Sequence, residues 1–145
     1  MPLMYLVAII SIAIGGIYAG DAQREVAQAE LSEAKNIKGG LMVYATAVAS
    51  FRAANNGFVG EAPDGALTLP SWFRKDPRLR NRVAPGLSYV YFESSAGELI
   101  DLNPFFHSNS TRFAVVRNGA AVSMLLGSVL GPTPGIPEGS IVYAL

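Results

Sequence analysis

The pattern of hydrophobic and polar positions divides the chain into three parts, and the first is an apolar run. Residues 2–20 contain no charged side chain, and their only polar positions are Ser11 and two tyrosines. At about 1.5 Å per residue, a helix of this length covers about 28 Å, close to the hydrocarbon thickness of a bilayer. Tyr5 and Tyr18 lie near its two ends, where tyrosine is enriched in membrane helices. The pattern predicts that residues 1–20 form a transmembrane anchor.

Two other interpretations compete for this run. A secretory signal peptide would be cleaved after small residues, and both Ile17-Tyr18-Ala19 and Gly20-Asp21-Ala22 resemble such a site. However, the run is longer than the usual apolar core of a signal peptide, and no basic residue precedes it. A helix buried in a protein core is the third interpretation. Length and charge together favour a retained anchor.

Residues 21–56 predict a helix that continues the anchor into water. Residues 21–38 are rich in helix-favouring residues and poor in apolar ones, as expected of a solvated stalk. Gly39-Gly40 is the expected hinge or kink, and Asn55-Asn56-Gly57 is the expected end of the helix. An apolar stripe at helical spacing predicts a face that packs on the next domain. The stripe consists of Ile37, Leu41, Tyr44, Val48 and Phe51.

Residues 57–145 predict a small, loop-rich antiparallel sheet domain. Glycines and prolines indicate a loop from residue 58 to residue 73, which Trp72 and Phe73 are expected to hold against the core. Asn118-Gly119 between apolar runs predicts a tight hairpin, and three prolines exclude residues 131–139 from a sheet interior. Alternation predicts strands at residues 87–94, 97–102, 110–116, 120–126 and 140–145. The predicted fold class is α+β, with the long N-terminal helix packed on the sheet.

One local charge asymmetry occurs in a chain whose formal net charge is zero. Five basic side chains face a single acid, Asp76, and they are Arg74, Lys75, Arg78, Arg80 and Arg82. A solvated loop is one interpretation, and a patch that binds an acidic partner or anionic lipid headgroups is the other. The balanced net charge, and the absence of a nearby glycine-rich pattern, argue against nucleic acid as a partner.

The sequence lacks the residue patterns of catalytic and metal sites. It contains no cysteine, which excludes disulfides, thiolate catalysis and cysteine-ligated zinc. His107 is the one histidine, and no HxxxH, HxxE or DxD spacing occurs. Neither a nucleophile elbow nor a nucleotide-binding glycine loop is found. We therefore expect no enzymatic activity, no cofactor, no metal and no small-molecule substrate.

The order of elements resembles that of a type IV pilin or pseudopilin, and FRAANNGFVG (residues 51–60) resembles the region where pilin helices end. The sequence departs from the pilin pattern at its start. No basic leader precedes the apolar run, and the first acid is Asp21, whereas pilins carry a glutamate five residues into the mature chain.

A resemblance to the PilM family of the thin pili of conjugative plasmids covers the whole chain. The motif LPSWFRKDPRLR (residues 69–80) and the strand GLSYVYF (residues 86–92) are similar to that family. The resemblance implies a component of the inner-membrane base of the pilus or of pilin transport. Its implied partners are the bacterial inner membrane and other pilus assembly proteins or pilins, and the oligomeric state is left open.

The resemblance also implies that the sheet domain is periplasmic. The basic residues Arg24, Lys35 and Lys38 after the anchor favour the opposite orientation, but they are spread along the stalk. We therefore expect a non-enzymatic, single-pass inner-membrane protein of a type IV pilus biogenesis apparatus. A pilin-like minor subunit of the filament is the alternative, and a secreted binding domain released by signal cleavage is a third class.

Overall fold

The computed structural model of the chain describes the backbone of residues 2–95 and 100–145 and the side chains of residues 23–95 and 100–145. A long helix is followed by a six-stranded antiparallel sheet, so the predicted α+β class is confirmed. The helices are α1 (Pro2–Ala54) and α2 (Asn103–Phe106), with a short 3-10 turn at Asp64–Ala66. The strands are β1 (Leu79–Arg82), β2 (Tyr89–Phe92), β3 (Phe113–Arg117), β4 (Ala120–Ser123), β5 (Val129–Pro132) and β6 (Ile141–Ala144).

The strand order places the C-terminal strand in the middle of the sheet. The order is β1-β2-β6-β3-β4-β5, and each neighbouring pair is antiparallel. β6 pairs with both β2 and β3, which confirms the prediction that the apolar C-terminus is paired and buried. β5 forms one edge, where Pro132 can lie opposite Ala120 although it has no N–H to donate.

The hairpin between β3 and β4 has the geometry that its sequence predicts. Asn118 and Gly119 connect the paired residues Arg117 and Ala120, and their φ angles are 52° and 71°. Two positive φ angles in a two-residue loop are typical of the turn that matches the twist of the flanking strands. Asparagine and glycine adopt this conformation at low cost, so the prediction is confirmed.

The apolar stripe of α1 packs on one face of the sheet, as predicted. Leu41, Tyr44 and Val48 are fully buried, Ile37 is buried, and Phe51 is partly buried. The sheet and α2 supply the opposing side chains, which include Leu79, Val90, Phe92, Phe105, Phe113 and Ile141. Residues 23–33 of α1 are all exposed, as predicted for the stalk, but burial begins at Ala34, before the predicted end of the stalk at residue 38. We call this stripe and its sheet partners the helix–sheet core.

The glycine pair in α1 does not interrupt the helix, contrary to the predicted hinge, because α1 is helical throughout from Pro2 to Ala54. A Cβ on Gly40 would lie 3.3 Å from Cδ1 of Leu79, whereas a Cβ on Gly39 would meet no atom within 4 Å. Gly40 therefore lets β1 approach the helix closely. The close approach of Leu79 gives a packing reason for glycine at position 40, despite its low helix propensity.

A second apolar cluster fills the opposite face of the sheet, where no helix packs among the described elements. It includes Tyr89 and Tyr91 of β2 and Val142 of β6, together with Ile136 from the loop after β5. A Cβ on Gly131 of β5 would lie only 2.6 Å from Cδ2 of Leu87, next to β2. Because β5 and β2 are separated by three strands, this contact shows that the sheet curls over its own second face.

Several sequence predictions in the loops require correction. Trp72 does not hold the loop to the core, because its side chain is 70% exposed, and Phe73 alone packs there. Residues 100–102 are not a strand, while residues 97–99 of that predicted strand lie outside the described range. The basic segment, expected to be a loop, contributes its last residues to β1. The segment LRNR alternates buried and partly buried residues. It is too short and too polar for its sequence to predict a strand.

Among the residues whose side chains are described, no helix is both long and apolar enough to cross a membrane. The predicted anchor at residues 1–20 lies outside those residues.

We expect truncation of two neighbouring residues of α1 to differ strongly in its effect on the free energy of unfolding. Leu41→Ala should reduce the free energy of unfolding by about 2–5 kcal/mol, because Leu41 is fully buried. Met42→Ala should change it by less than about 0.5 kcal/mol, because Met42 is 49% exposed. Urea denaturation of both variants measures the difference, and equal losses would contradict the observed packing of α1.

Candidate functional site

The five basic residues predicted as a contact patch lie in a segment that crosses from the loop into β1. Arg74 and Lys75 precede the strand, Arg78 lies just before it, and Arg80 and Arg82 are part of it. The alternation of β1 places Leu79 and Asn81 on the buried face and the two arginines on the other. The structure therefore does not present the five side chains as one continuous surface.

Three of the five basic residues form ion pairs with acids in the described part of the chain. Lys75 Nζ lies 2.7 Å from Asp64 Oδ2, and Arg80 contacts Glu61 at 2.7 Å and Glu93 at 3.2 Å. These acids come from the loop before the segment and from the residue after β2. The acids neutralise charges that look uncompensated in the sequence.

Arg78 connects the segment to the stalk of α1. Its guanidinium lies 3.2 Å from Asp76 and 3.7 Å from Glu33 of α1, and it covers the ring of Phe92 at 4.4 Å from the centroid. Among the described residues, no acid lies within ion-pair distance of Arg74 or Arg82. Of these two, Arg74 is exposed and Arg82 is partly buried. Arg74 is thus the member of the patch best placed to meet a partner.

The pKa values of the acids reflect these pairs. Burial opposes ionisation of Asp64, but hydrogen bonds from Lys75 and Tyr44 lower its pKa overall. The hydrogen bond from Arg80 lowers the pKa of Glu61 against a smaller effect of burial. Burial also opposes ionisation of Asp76, whose pKa is lowered overall by hydrogen bonds from Arg78. All three acids are therefore ionised at neutral pH and hold their basic partners in place.

A buried amide joins the loop, β1 and α1 beneath the basic segment. The Asn81 amide donates to the Tyr44 hydroxyl at 2.9 Å and to the Ala62 carbonyl at 3.0 Å, and its oxygen accepts from the Ala62 N–H at 2.7 Å. Tyr44 donates in turn to Asp64 at 2.8 Å. Burial raises the pKa of Tyr44, which keeps its hydroxyl protonated as this donor. This network fixes the position of the loop that carries the acids.

An open groove separates the stalk end of α1 from the exposed part of the basic segment. Its volume is about 830 Å³, and we call it the Trp72 groove. Ser32, Asn36 and Gly39 are among the helix residues of one wall, and Trp72 and Arg74 belong to the other. Trp72 and Phe73 pack edge to face, with ring centroids 6.1 Å apart. An exposed tryptophan beside an arginine without an acidic partner is typical of the residues that dominate protein–protein interfaces.

Other chemistry is not evident in the part of the chain that the structure describes. No group of three or more His, Asp or Glu side chains there could hold a metal ion. His107 follows α2 and is exposed. The arrangement around the Trp72 groove offers shape, one exposed aromatic ring and charge, which are the properties of a docking surface.

The sequence interpretation missed two features of this site. Glu33 is far from Arg78 in the chain, so nothing local indicates that it belongs to the charge network. Asn81 could have been identified from the alternation of LRNR, which places it on the same face as Leu79. Buried asparagine needs partners for its amide, and that requirement would have pointed to the loop near Ala62.

Comparison with known proteins finds a matching protein family and similar solved structures. A protein-family model, PilM, matches residues 9–144, which include the packing half of α1, the basic segment and all six strands. A crystal structure described as that of a pilM protein from Pseudomonas aeruginosa 2192 is 35% identical in sequence. The match covers 78% of this chain and 93% of that one, with a TM-score of 0.46. No curated protein matches the chain.

We expect the Asn81 network to be essential for the stability of the loop. Asn81→Ala leaves the Ala62 N–H and carbonyl and the Tyr44 hydroxyl short of partners, so the free energy of unfolding should fall by more than about 2 kcal/mol. Asn56→Ala, at an exposed position after α1, is the control and should change it by less than about 0.5 kcal/mol. Thermal or urea denaturation measures both, and a small effect of Asn81→Ala would mean that water replaces the amide.

Proposed function

This chain belongs to the PilM family, which is associated with pilus biogenesis, and on that premise we propose that it is a non-enzymatic, single-pass inner-membrane component of a type IV pilus assembly apparatus. The family match over residues 9–144 is the observation that carries the proposal. We further propose that it acts in the basal body or in pilin transport of a thin conjugative pilus, with its sheet domain in the periplasm. Its role is to hold a docking surface at a fixed distance from the membrane.

The proposed anchor is supported by the apolar sequence of residues 2–20 and by the continuity of α1. The backbone is helical from Pro2 to Ala54 without interruption, so an anchor would be joined to the domain by a single helix. The first buried residue of α1 in the described range is Ala34, fourteen positions after Gly20. At about 1.5 Å per residue, the stalk would hold the domain about 20 Å beyond the anchor.

This distance favours a protein over a lipid surface as the partner of the basic segment. Arg78 contacts the stalk at Glu33, which would lie about 20 Å along the helix from the end of the anchor. Electrostatic interactions in solution are screened over about 8–10 Å at physiological ionic strength. Headgroup attraction would therefore be weak at the basic segment. We propose that Trp72 and Arg74 contact an acidic surface of another pilus assembly protein.

A minor subunit of the filament is the second candidate function. One observation favours it, namely that the second half of a long N-terminal helix packs on an antiparallel sheet, as the pilin resemblance implies. The mature N-terminus separates the two candidates. An anchored assembly component should retain Met1 or Pro2, a filament subunit should be processed, and a secreted domain should begin near residues 20–23.

We expect the anchor to fail when charge is introduced near its centre. Ile10→Lys with Ile14→Lys should release the full chain from membranes in carbonate extraction, because a charged residue at a helix centre costs about 2.5–3.5 kcal/mol in insertion. Val26→Lys is the control in the exposed stalk and should leave the chain in the membrane fraction. Carbonate-resistant association of the double variant would exclude residues 1–20 as a membrane span.

We expect Trp72 and Arg74 to be needed for assembly and not for folding. Trp72→Ala with Arg74→Glu should keep the wild-type melting temperature, because both side chains are exposed, and should reduce pilus formation at least about tenfold, as loss of interface hot spots does. Arg117→Glu, at an exposed position of β3, is the charge-matched control. Normal pilus formation by a stably folded double variant would argue against docking at the Trp72 groove.

A further inference from the structure

A second groove lies on the other side of the buried stripe from the Trp72 groove. It runs between α1 and the α2 region, with a volume of about 500 Å³, and we call it the α1–α2 groove. Leu31, Lys35 and Met42 of α1 line it, with Pro104 and His107 opposite. From Leu31 to Met42 it extends about 16 Å along the helix axis.

Large apolar side chains are exposed at this groove. Leu31 is 36% exposed and Met42 is 49% exposed, and both line it. Phe106, on the adjoining α2, is 44% exposed. Leucine and methionine side chains that line a concave surface offer contact area that the helix–sheet core does not use. Such a surface is characteristic of sites that bind an apolar segment.

The charge at this groove is uncompensated within the helix. Lys35 and Lys38 are three positions apart, so they are neighbours on the surface of α1 and repel each other. The positions three and four residues before and after each lysine hold no acid. None of the described residues that line the groove is acidic.

The two lysines differ in what they do for the fold. Lys38 Nζ donates to the Pro104 carbonyl at 3.0 Å and lies 5.9 Å from the centre of the Phe113 ring, so it helps to hold α2 against α1. In the described part of the chain, the side chains of Lys35 and His107 make no hydrogen bond or ion pair. Lys35 is therefore available to a carboxylate from outside.

We propose that the α1–α2 groove binds an apolar segment of another protein that carries carboxylates beside its apolar residues. The apolar residues contact Leu31 and Met42, and a carboxylate pairs with Lys35. Two lysines and no acid occur among the described residues of the groove, and this basic character gives the charge complementarity on which the choice of partner depends. The length of the groove accommodates about three turns of a helix.

Two other occupants fit the observations less well. A second copy anchored in the same membrane would present Lys35 and Lys38 at the same height, so lysines would face lysines. A lipid surface would lie too far away, since the groove begins eleven residues beyond Gly20. Both exclusions rest on the proposed anchor, whereas the apolar and basic character of the groove does not.

The test uses the full chain in detergent micelles and two synthetic helical peptides. Both peptides have leucines at the same spacing. Glutamates flank the leucines in one peptide, and lysines flank them in the other. Fluorescence anisotropy should show binding of the glutamate peptide and at least about tenfold weaker binding of the lysine peptide. Lys35→Glu and Leu31→Ser should each lower the affinity for the glutamate peptide about tenfold. Circular dichroism should show unchanged helix content and melting temperature in both variants.

Two matched controls report on non-specific attraction. Arg117→Glu removes a positive charge from β3, and Val129→Ser removes an exposed apolar side chain from β5. Both should leave the affinity within about twofold of wild type. Equal affinity for the two peptides, no binding of either, or an equal loss in the controls overturns the proposal.

Two further measurements distinguish the other occupants. Flotation with vesicles containing phosphatidylglycerol tests the lipid surface, and sedimentation velocity tests the second copy. Binding to vesicles or self-association that depends on Leu31 and Lys35, without peptide binding, overturns the proposal in favour of that occupant. Because the peptide test is made in micelles, it can succeed even if the proposed anchor or the role in pilus assembly is wrong.

Discussion

The burial of one stripe of α1 against the sheet determines where every other feature of the molecule lies. Leu41, Tyr44 and Val48 are fully buried, so the helix cannot rotate about its axis without exposing them. With the stripe fixed, the two flanks of α1 face different parts of the domain. One flank meets the basic segment and forms the Trp72 groove, and the other meets α2 and forms the α1–α2 groove. Near the end of the exposed stalk before Ala34, Glu33 meets Arg78 and Leu31 lines the α1–α2 groove.

The charges of the basic segment are compensated from three directions. Acids of the preceding loop pair with Lys75 and Arg80, the stalk supplies Glu33 to Arg78, and Glu93 follows β2. Each exposed pair contributes little by itself. The buried Asn81 amide fixes the loop that carries two of these acids. The pairs can therefore orient the segment together. Arg74 and Trp72 are both exposed beside the Trp72 groove. Neither side chain helps to hold the fold.

Local patterns predicted the parts of the fold whose signal lies within a few residues. The helical spacing of the stripe, the Asn118-Gly119 turn and the apolar C-terminal strand are of this kind, and the structure confirms all three. The charge network could not be predicted in the same way, because Arg78 and Glu33 meet only after α1 has packed on β1. The prediction that Trp72 packs on the core rested on its size and was wrong. Phe73, the next residue, packs there instead.

The sequence did contain one unused signal for the site. The hinge predicted at Gly39-Gly40 rests on helix propensity alone. Close packing of a strand on a helix also requires a small residue. Gly40 lies against Leu79, and Gly39 has open space around it and lines both grooves. Lys35, one turn earlier, also lines both. The two grooves therefore share the exposed ridge of α1 between them, and a partner that covers this ridge from one side restricts access from the other. The domain thus presents its two candidate contacts as neighbours on one continuous helix, and the helix–sheet core sets their spacing.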